Sequence, residues 1–258
     1  MGGWRGLRGA IRLQLQIVVA DRGYLNEIIA NPFFAIIFLG VVRASGRHDL
    51  TSFALVAPVL MTLWAMSLEI SGSVVDADRG LGILEEVVAT PTRFSTVVFG
   101  RVLAVTMLST VAVVETGLVA RLGFGVHVTL HHPALFVAAL FVTTLAMTGT
   151  ALVMAGAFVL AGGARTFQNT MNYPIYLLAG VLVPISFLPG WLRPVSRLIF
   201  LSWSADLLRG ALQPGPVSDV LPRLGAIVVS GATGFVVGSV TLRIVLRRVR
   251  QLGTIGHV

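Results

Sequence analysis

The sequence predicts an all-α integral membrane protein with six transmembrane helices, and three observations carry that prediction. Only 12% of the 258 residues are charged and 55% are hydrophobic, whereas a soluble domain carries about 25% charged residues because its surface faces water. The mean hydropathy is +0.89. The charges gather in short clusters between apolar runs of roughly 18 residues or more, the length needed to cross a hydrocarbon core.

On a helix over residues 4–20, Trp4, Leu7, Ile11, Leu15 and Val18 share one face, while Arg5, Arg8, Arg12 and Gln16 share another. That segregation predicts an amphipathic helix lying in the membrane interface, with arginines toward anionic headgroups. The stretch has neither the long apolar core nor the small-residue cleavage site of a signal peptide. The first span is expected near residues 28–42, with Asn31-Pro32 as a kink. The others are expected near 53–75, 96–120, 134–161, 173–188 and 224–246, Pro222 standing where a helix start tolerates it. The connections between them include two long stretches, 76–95 and 189–222. No repeat, low-complexity tract or soluble domain interrupts residues 1–258, so they read as one unit.

Orientation follows from counting arginines. With six spans both termini share a side, and that side holds twelve of the nineteen arginines against seven on the other. The excess places both termini in the cytoplasm, in a multi-pass protein of the cell membrane. The net charge of +8 then reflects the inner membrane face rather than a nucleic-acid partner, because the arginines flank apolar spans and form no single patch.

What is missing excludes chemistry. All basic residues are arginine, so a phosphate-cradling P-loop lysine and a Schiff-base amine are both absent. There is no cysteine, which removes thiol catalysis, thiolate metal sites and disulfides. An intramembrane enzyme would need a nucleophile and base or metal ligands gathered in the spans, and the expected spans contain no histidine or aspartate. No cofactor or metal is expected on this chain. His127, His131 and His132 cluster in the third-to-fourth connection without further ligands at workable spacing.

The inner stretch runs from Asp76 through Arg79-Gly80, Leu84-Glu85-Glu86 and Thr90-Pro91 to Gly100-Arg101. Asp76 or Asp78 can cap a short helix, Pro91 stops it, and Leu81, Leu84 and Val88 form a small apolar stripe. Such a helix either docks in another protein's groove or lies on the membrane. On the far side, residues 177–193 read LLAGVLVPISFLPGWLR. These two motifs, in this order and on opposite faces, resemble the permeases of type-2 ATP-binding-cassette (ABC) transporters, of the drug-efflux and polysaccharide-export kind. The resemblance extends over the whole chain. One departure stands out: the family's Asn-Pro before an Asp-x-x-Arg step is replaced here by Phe200-Leu-Ser-Trp-Ser-Ala-Asp206-Leu-Leu-Arg209.

The resemblance implies that two permeases, as a homodimer or heterodimer, sit above two copies of a separate ATPase subunit that binds ATP and Mg. It further implies that Asp78, Arg79, Gly80, Leu84, Glu85, Glu86, Thr90 and Pro91 form the element coupled to the ATPase. Gly180, Pro184, Pro189, Trp191, Trp203, Asp206 and Arg209 would belong to an external gate of re-entrant helices. A surface loop with an aromatic belt is the alternative for that outer stretch.

Two carboxylates fall within spans, Glu69 and Glu115. Each costs on the order of 3 kcal/mol in the bilayer unless it faces protein or water. Glu115 is expected to snorkel or bond a neighbouring helix; Glu69 is open between a cationic-substrate contact and a helix contact. Gly231, Gly234 and Gly238 permit close helix approach, within one chain or at a dimer seam. Together these features point to a permease exporting a hydrophobic or amphipathic drug or lipid. The alternatives are export of polysaccharide or lipid-linked glycan, an intramembrane enzyme, or a membrane scaffold.

Overall fold

A computed structural model describes residues 2–20, 22–80, 94–161 and 164–252, with side chains over 6–18, 28–71, 96–158 and 170–244. Among the described residues every regular element is helical. The helices are α1 (Gly2–Ala20), α2 (Arg22–Ser45), α3 (Thr51–Gly80), α4 (Phe94–Leu108), α5 (Val111–Leu118), α6 (Pro133–Ala161), α7 (Ala164–Leu178), α8 (Leu192–Leu198), α9 (Phe200–Leu212) and α10 (Val220–Leu252). Five stretches among them are long and apolar enough to cross a membrane: Ile28–Ser45, His48–Ser71, Thr96–Gly123, Pro133–Phe158 and Val220–Ile244.

Several boundaries differ from the sequence expectation, each for a local reason. The helix of the second expected span, α3, does not stop at Val75 but continues to Gly80. Its 30 residues span about 45 Å, longer than a hydrocarbon core of about 30 Å. Asp76 and Asp78 therefore lie within the last turns of α3. The third expected span is broken at Ser109 and Thr110. There the Ser109 and Thr110 hydroxyls donate to the Thr106 and Met107 carbonyls, 2.7 and 2.6 Å away. The backbone ladder tightens to Ala112 N–H on Ser109 O and Val113 N–H on Thr110 O. Back-bonding hydroxyls of this kind compete with the regular ladder and interrupt helices. A turn of wider π pitch over Val119–Gly123 ends the segment.

The expected span 173–188 is the largest departure. Helix α7 starts earlier and ends at Leu178, and its 15 residues reach only about 22 Å. Gly180, at φ +68°, terminates it, a left-handed conformation natural to glycine. Val181 N–H closes back on Tyr176 O at 3.0 Å. Extended backbone at Pro184 then leads into a 3-10 turn over Ile185–Phe187.

Helix α3 is the central post, buried on nearly every side. Around it, Leu60, Leu63, Trp64, Met147, Leu201, Leu207, Leu208 and Ile227 form the main core. Lipid tails are as apolar as these side chains, so close packing and buried polar contacts hold the bundle, with little net drive from leaving water. The tightest packing joins α6 and α10. A Cβ on Gly231 would lie 2.7 Å from Ala146 Cα, and one on Gly238 would lie 2.7 Å from Leu152 C. Gly149 meets Gly231 O, and Gly234 meets Gly149. Gly231, Gly234 and Gly238 are therefore spent on packing within one chain.

Helix α7 runs antiparallel to α3. Asn172 accepts from Trp64 Nε1 at 3.1 Å, and Tyr176 donates to Met61 O at 3.0 Å. The chain then reaches the beginning of α3, where α8 and α9 fold over the end of the bundle.

Candidate functional site

A polar network among the described residues lies at that end. Helix α9 begins after Ile199, whose extended backbone (φ −88°, ψ 115°) supplies the bend with no proline. Asp206 and Arg209 are three apart on α9 and so share a face. Arg209 Nη2 approaches Asp206 Oδ1 at 3.4 Å, while Arg197 from α8 donates to Asp206 Oδ2 at 2.6 Å. One carboxylate thus serves two arginines on consecutive helices.

The same arginines reach further. Arg209 Nη1 donates to Gly180 O at 2.8 Å, and its guanidinium lies 4.0 Å over the ring of Phe53 in the first turn of α3. Arg197 also reaches Ser202 Oγ at 3.2 Å and lies 4.6 Å from the Trp203 ring centroid. Trp203 Nε1 donates to Arg197 O at 2.9 Å, and the Ser196 hydroxyl donates to Leu178 O. Arg209 is only 6% exposed. Burial pushes its guanidinium down to about 10, with Asp206 opposing the shift, so it remains a cation at neutral pH. A buried charge is tolerated only when paired and hydrogen-bonded, and Asp206, Gly180 O and the Phe53 ring supply those partners.

Of the residues expected in an external gate, Gly180, Trp203, Asp206 and Arg209 therefore meet in one network. Pro184, Pro189 and Trp191 do not join it. Pro184 O accepts from Phe187 N–H, and Pro189 O accepts from Leu192 N–H at 2.9 Å. Trp191 stands 74% exposed before α8. Arg193 braces this rim by donating to Leu188 O and Ser186 O at 3.1 and 2.8 Å.

The two carboxylates of the spans have different surroundings. Asn31 is fully buried, and its Nδ2 faces Glu115 Oε2 at 2.9 Å, Ala112 O at 3.3 Å and Thr116 Oγ1 at 3.3 Å. Thr62 donates to Asn31 Oδ1 at 3.1 Å. Glu115 is thereby a helix contact, tying α2 to α5 with α3 joined through Thr62. Glu69 is half-buried on α3, about 10 Å along the helix from Thr62. Among the described residues no hydrogen bond or ion pair reaches it. The two do not form one site.

At the opposite end of α3, Asp78, Arg79 and Gly80 make its last turn. Leu84, Glu85, Glu86, Thr90 and Pro91 lie outside the described residues. Just beyond them, Gly100 and Arg101 seat α1. A Cβ at Gly100 would lie 3.0 Å from Ala10 Cβ, and Arg101 Nε donates to Gln14 Oε1 at 2.8 Å. The buried stripe of α1 therefore includes Ala10, Gln14 and Val18, while Leu15 is exposed.

Sequence reasoning missed Asn31 as a hub, Gln14 as a packing residue and Arg197 as a partner of Asp206. Asn31 carried a signal, since a polar side chain in an apolar span needs a partner. Arg197 carried none, because its pairing depends on the bend between α8 and α9. The histidines also have a place: His131 and His132 ring nitrogens lie 2.9 and 2.8 Å from Leu212 O and Gly215 O. Among the described residues no group of histidines and carboxylates is spaced to hold a metal.

A family model described as "ABC-2 type transporter" matches residues 11–212. That range runs from the middle of α1 to the end of α9, including both ends of the bundle. No curated protein matches the chain.

Proposed function

The chain belongs to the ABC-2 type transporter family and is a multi-pass permease of an ABC transporter; on that premise we propose that it is the membrane half of an exporter driven by a separate ATPase subunit. The observation that carries this reading is the distribution of structure along α3. One end is closed by the Arg197–Asp206–Arg209 network, and the other extends as continuous helix to Gly80, roughly 40 Å away from Phe53. A rod of that length can carry motion from a partner below the membrane to a cap above it, because it moves as a unit.

We read α7 and the following turns to Leu188 as the fifth of six crossings. Its contacts climb α3 from Trp64 to Met61, and Gly180 continues to Arg209 over Phe53. Six crossings put both termini in the cytoplasm, the cap outside and the segment 76–95 inside. Trp191 and Trp203 then sit at headgroup depth. The segment through Glu85 and Glu86 is the ATPase-coupling element, two ATPase copies serve a pair of permeases, and ATP with Mg is bound by the ATPase.

The substrate fitting this reading is a hydrophobic or amphipathic molecule such as a drug or lipid, since the spans offer few hydrogen-bonding groups and Glu69 is a carboxylate without a partner among the described residues. The test is co-reconstitution with a candidate ATPase in liposomes. Transport and ATP turnover should require both proteins. Pumping or nucleotide cleavage by this chain alone would sink the proposal.

A further inference from the structure

Beside the cap lies an open pocket of about 510 Å³, lined by Phe53, Asp206, Arg209, Gln213, Ser218 and Arg223 among others. Its rim is the connection from α9 to α10. Pro214 and Pro216 restrict that rim, while Gly215 and Asp219 occupy left-handed conformations at φ +120° and +53°. Val217 folds back onto Gly210, where a Cβ would meet it at 3.2 Å. Gln213 Nε2 ties the rim to Ser52 Oγ at 3.2 Å. The pocket is thus pre-shaped by backbone geometry.

Its charges do not cancel. Asp206 is the one carboxylate in the lining, and Arg197 and Arg209 already share it. Arg223, from the first turn of α10, is half-buried with a single long hydrogen bond of 3.5 Å to Ser218 Oγ. The neighbouring Asp219 does not line the pocket; its carbonyl accepts the Arg223 backbone N–H at 3.1 Å. The lining therefore holds two guanidinium groups against one carboxylate, which Arg197 also engages from outside the pocket, and most of the Arg223 fork is unspent. Two arginines on different helices match an anion with several oxygens better than a single carboxylate, which one fork satisfies alone.

We propose that this pocket binds a phosphate-bearing anion, held by the free donors of the Arg223 fork, with the buried Arg209 adding its positive charge to the same lining. The head of an anionic lipid and free phosphate share that chemistry. The lipid source, though not the anion site, rests on the placement of the cap at the outer membrane boundary described above.

The full chain, purified in zwitterionic detergent, is examined by native mass spectrometry with phosphatidylglycerol or phosphatidylcholine, and by thermal unfolding with sodium phosphate against sodium chloride. Preferential retention of phosphatidylglycerol, or a phosphate-specific rise in Tm, supports the site, and the two responses distinguish lipid from free anion. Arg223→Gln should weaken the response about tenfold, as expected for loss of a charge-assisted contact. Gln213→Glu, which adds a carboxylate to the rim, should weaken it as well and serves if Arg223→Gln fails to fold. Arg193→Gln, outside the pocket, should leave it unchanged. Equal retention of both lipids with no phosphate effect, or a response untouched by both pocket variants, overturns the proposal. Separately, Ser218→Cys should react with an impermeant maleimide from outside the cell; labelling only from inside removes the outward placement and leaves the anion result standing.

Discussion

Arg209 donates to the carbonyl oxygen of Gly180 at 2.8 Å, and through that bond α9 holds the end of α7. The two residues lie 29 positions apart, yet each depends on the other's conformation. Gly180 presents its carbonyl because its left-handed backbone ends the helix there. Arg209 remains buried because that carbonyl, Asp206 and Phe53 replace water around it. A cap built this way is a set of specific bonds between rigid helices, the kind of contact that has discrete closed and open arrangements.

Gly180→Ala should destabilise the chain by about 1–2 kcal/mol, from the left-handed backbone and a Cβ 2.5 Å from Ile185 Cγ1. Arg209→Gln should cost more, about 2–3 kcal/mol, by leaving Gly180 O and one Asp206 oxygen short of their donor. Arg197→Gln removes a bridge whose arginine is 40% exposed and should cost under about 1 kcal/mol. Thermal unfolding of the three variants in detergent checks the order, and a larger loss for Arg197→Gln than for Arg209→Gln contradicts it.

Asn31→Leu should lower stability by about 2 kcal/mol, since one side chain joins three helices and interhelical hydrogen bonds in membranes contribute about 0.6 kcal/mol each, up to about 1.7. Glu115→Gln keeps an acceptor for Asn31 and should preserve both folding and transport. If Glu115→Gln abolishes transport of cationic substrates while the protein remains folded, the carboxylate charge has a role beyond the helix contact.

Glu69→Gln gives a contrasting test. As the half-buried carboxylate without a partner among the described residues, it should cost little stability while reducing transport of cationic more than neutral substrates. Equal loss of both classes, accompanied by poor expression, points instead to a structural role.

Gly231→Val should block assembly of α6 against α10, because even a Cβ would sit 2.7 Å from Ala146 Cα and no flexible side chain is there to yield. Overpacking of this kind costs about 1–3 kcal/mol or more. Gly225→Val, at a position with open space, is the control. Yield of monodisperse protein by size-exclusion chromatography distinguishes the two.

Glu85→Arg combined with Glu86→Arg should abolish substrate-stimulated ATP turnover in the co-reconstituted complex while leaving membrane insertion intact. Normal transport by a well-expressed double variant removes these residues from the coupling role.

The sequence by itself determined the class of molecule. Long apolar runs separated by arginine clusters demand a bilayer, since hydrocarbon leaves the backbone no partner but its own helix. Composition alone also showed the missing P-loop lysine, and the two motifs on either side of the membrane carried the family resemblance. Helix α1 occupies the segment whose apolar and arginine faces segregate, and α6 and α10 cover two of the long apolar runs. What periodicity does not encode is where a helix yields to a competing bond. Hydroxyl back-bonding divided the third span at Ser109, and the left-handed turn at Gly180 ended α7 well before its apolar sequence ran out.

Only the tertiary structure decided which polar groups meet. Asp206 and Arg209 were visible as neighbours on one helix, but Arg197 joins them through a bend, Gly180 through a returning chain, and Phe53 from a helix some 150 residues earlier. The glycines of α10 were legible as small surfaces, and the bundle assigned them to α6 rather than to a second copy. Local sequence specifies helices because their hydrogen bonds are local; a buried charge network depends on distant segments arriving together, and three-dimensional packing alone sets that arrival.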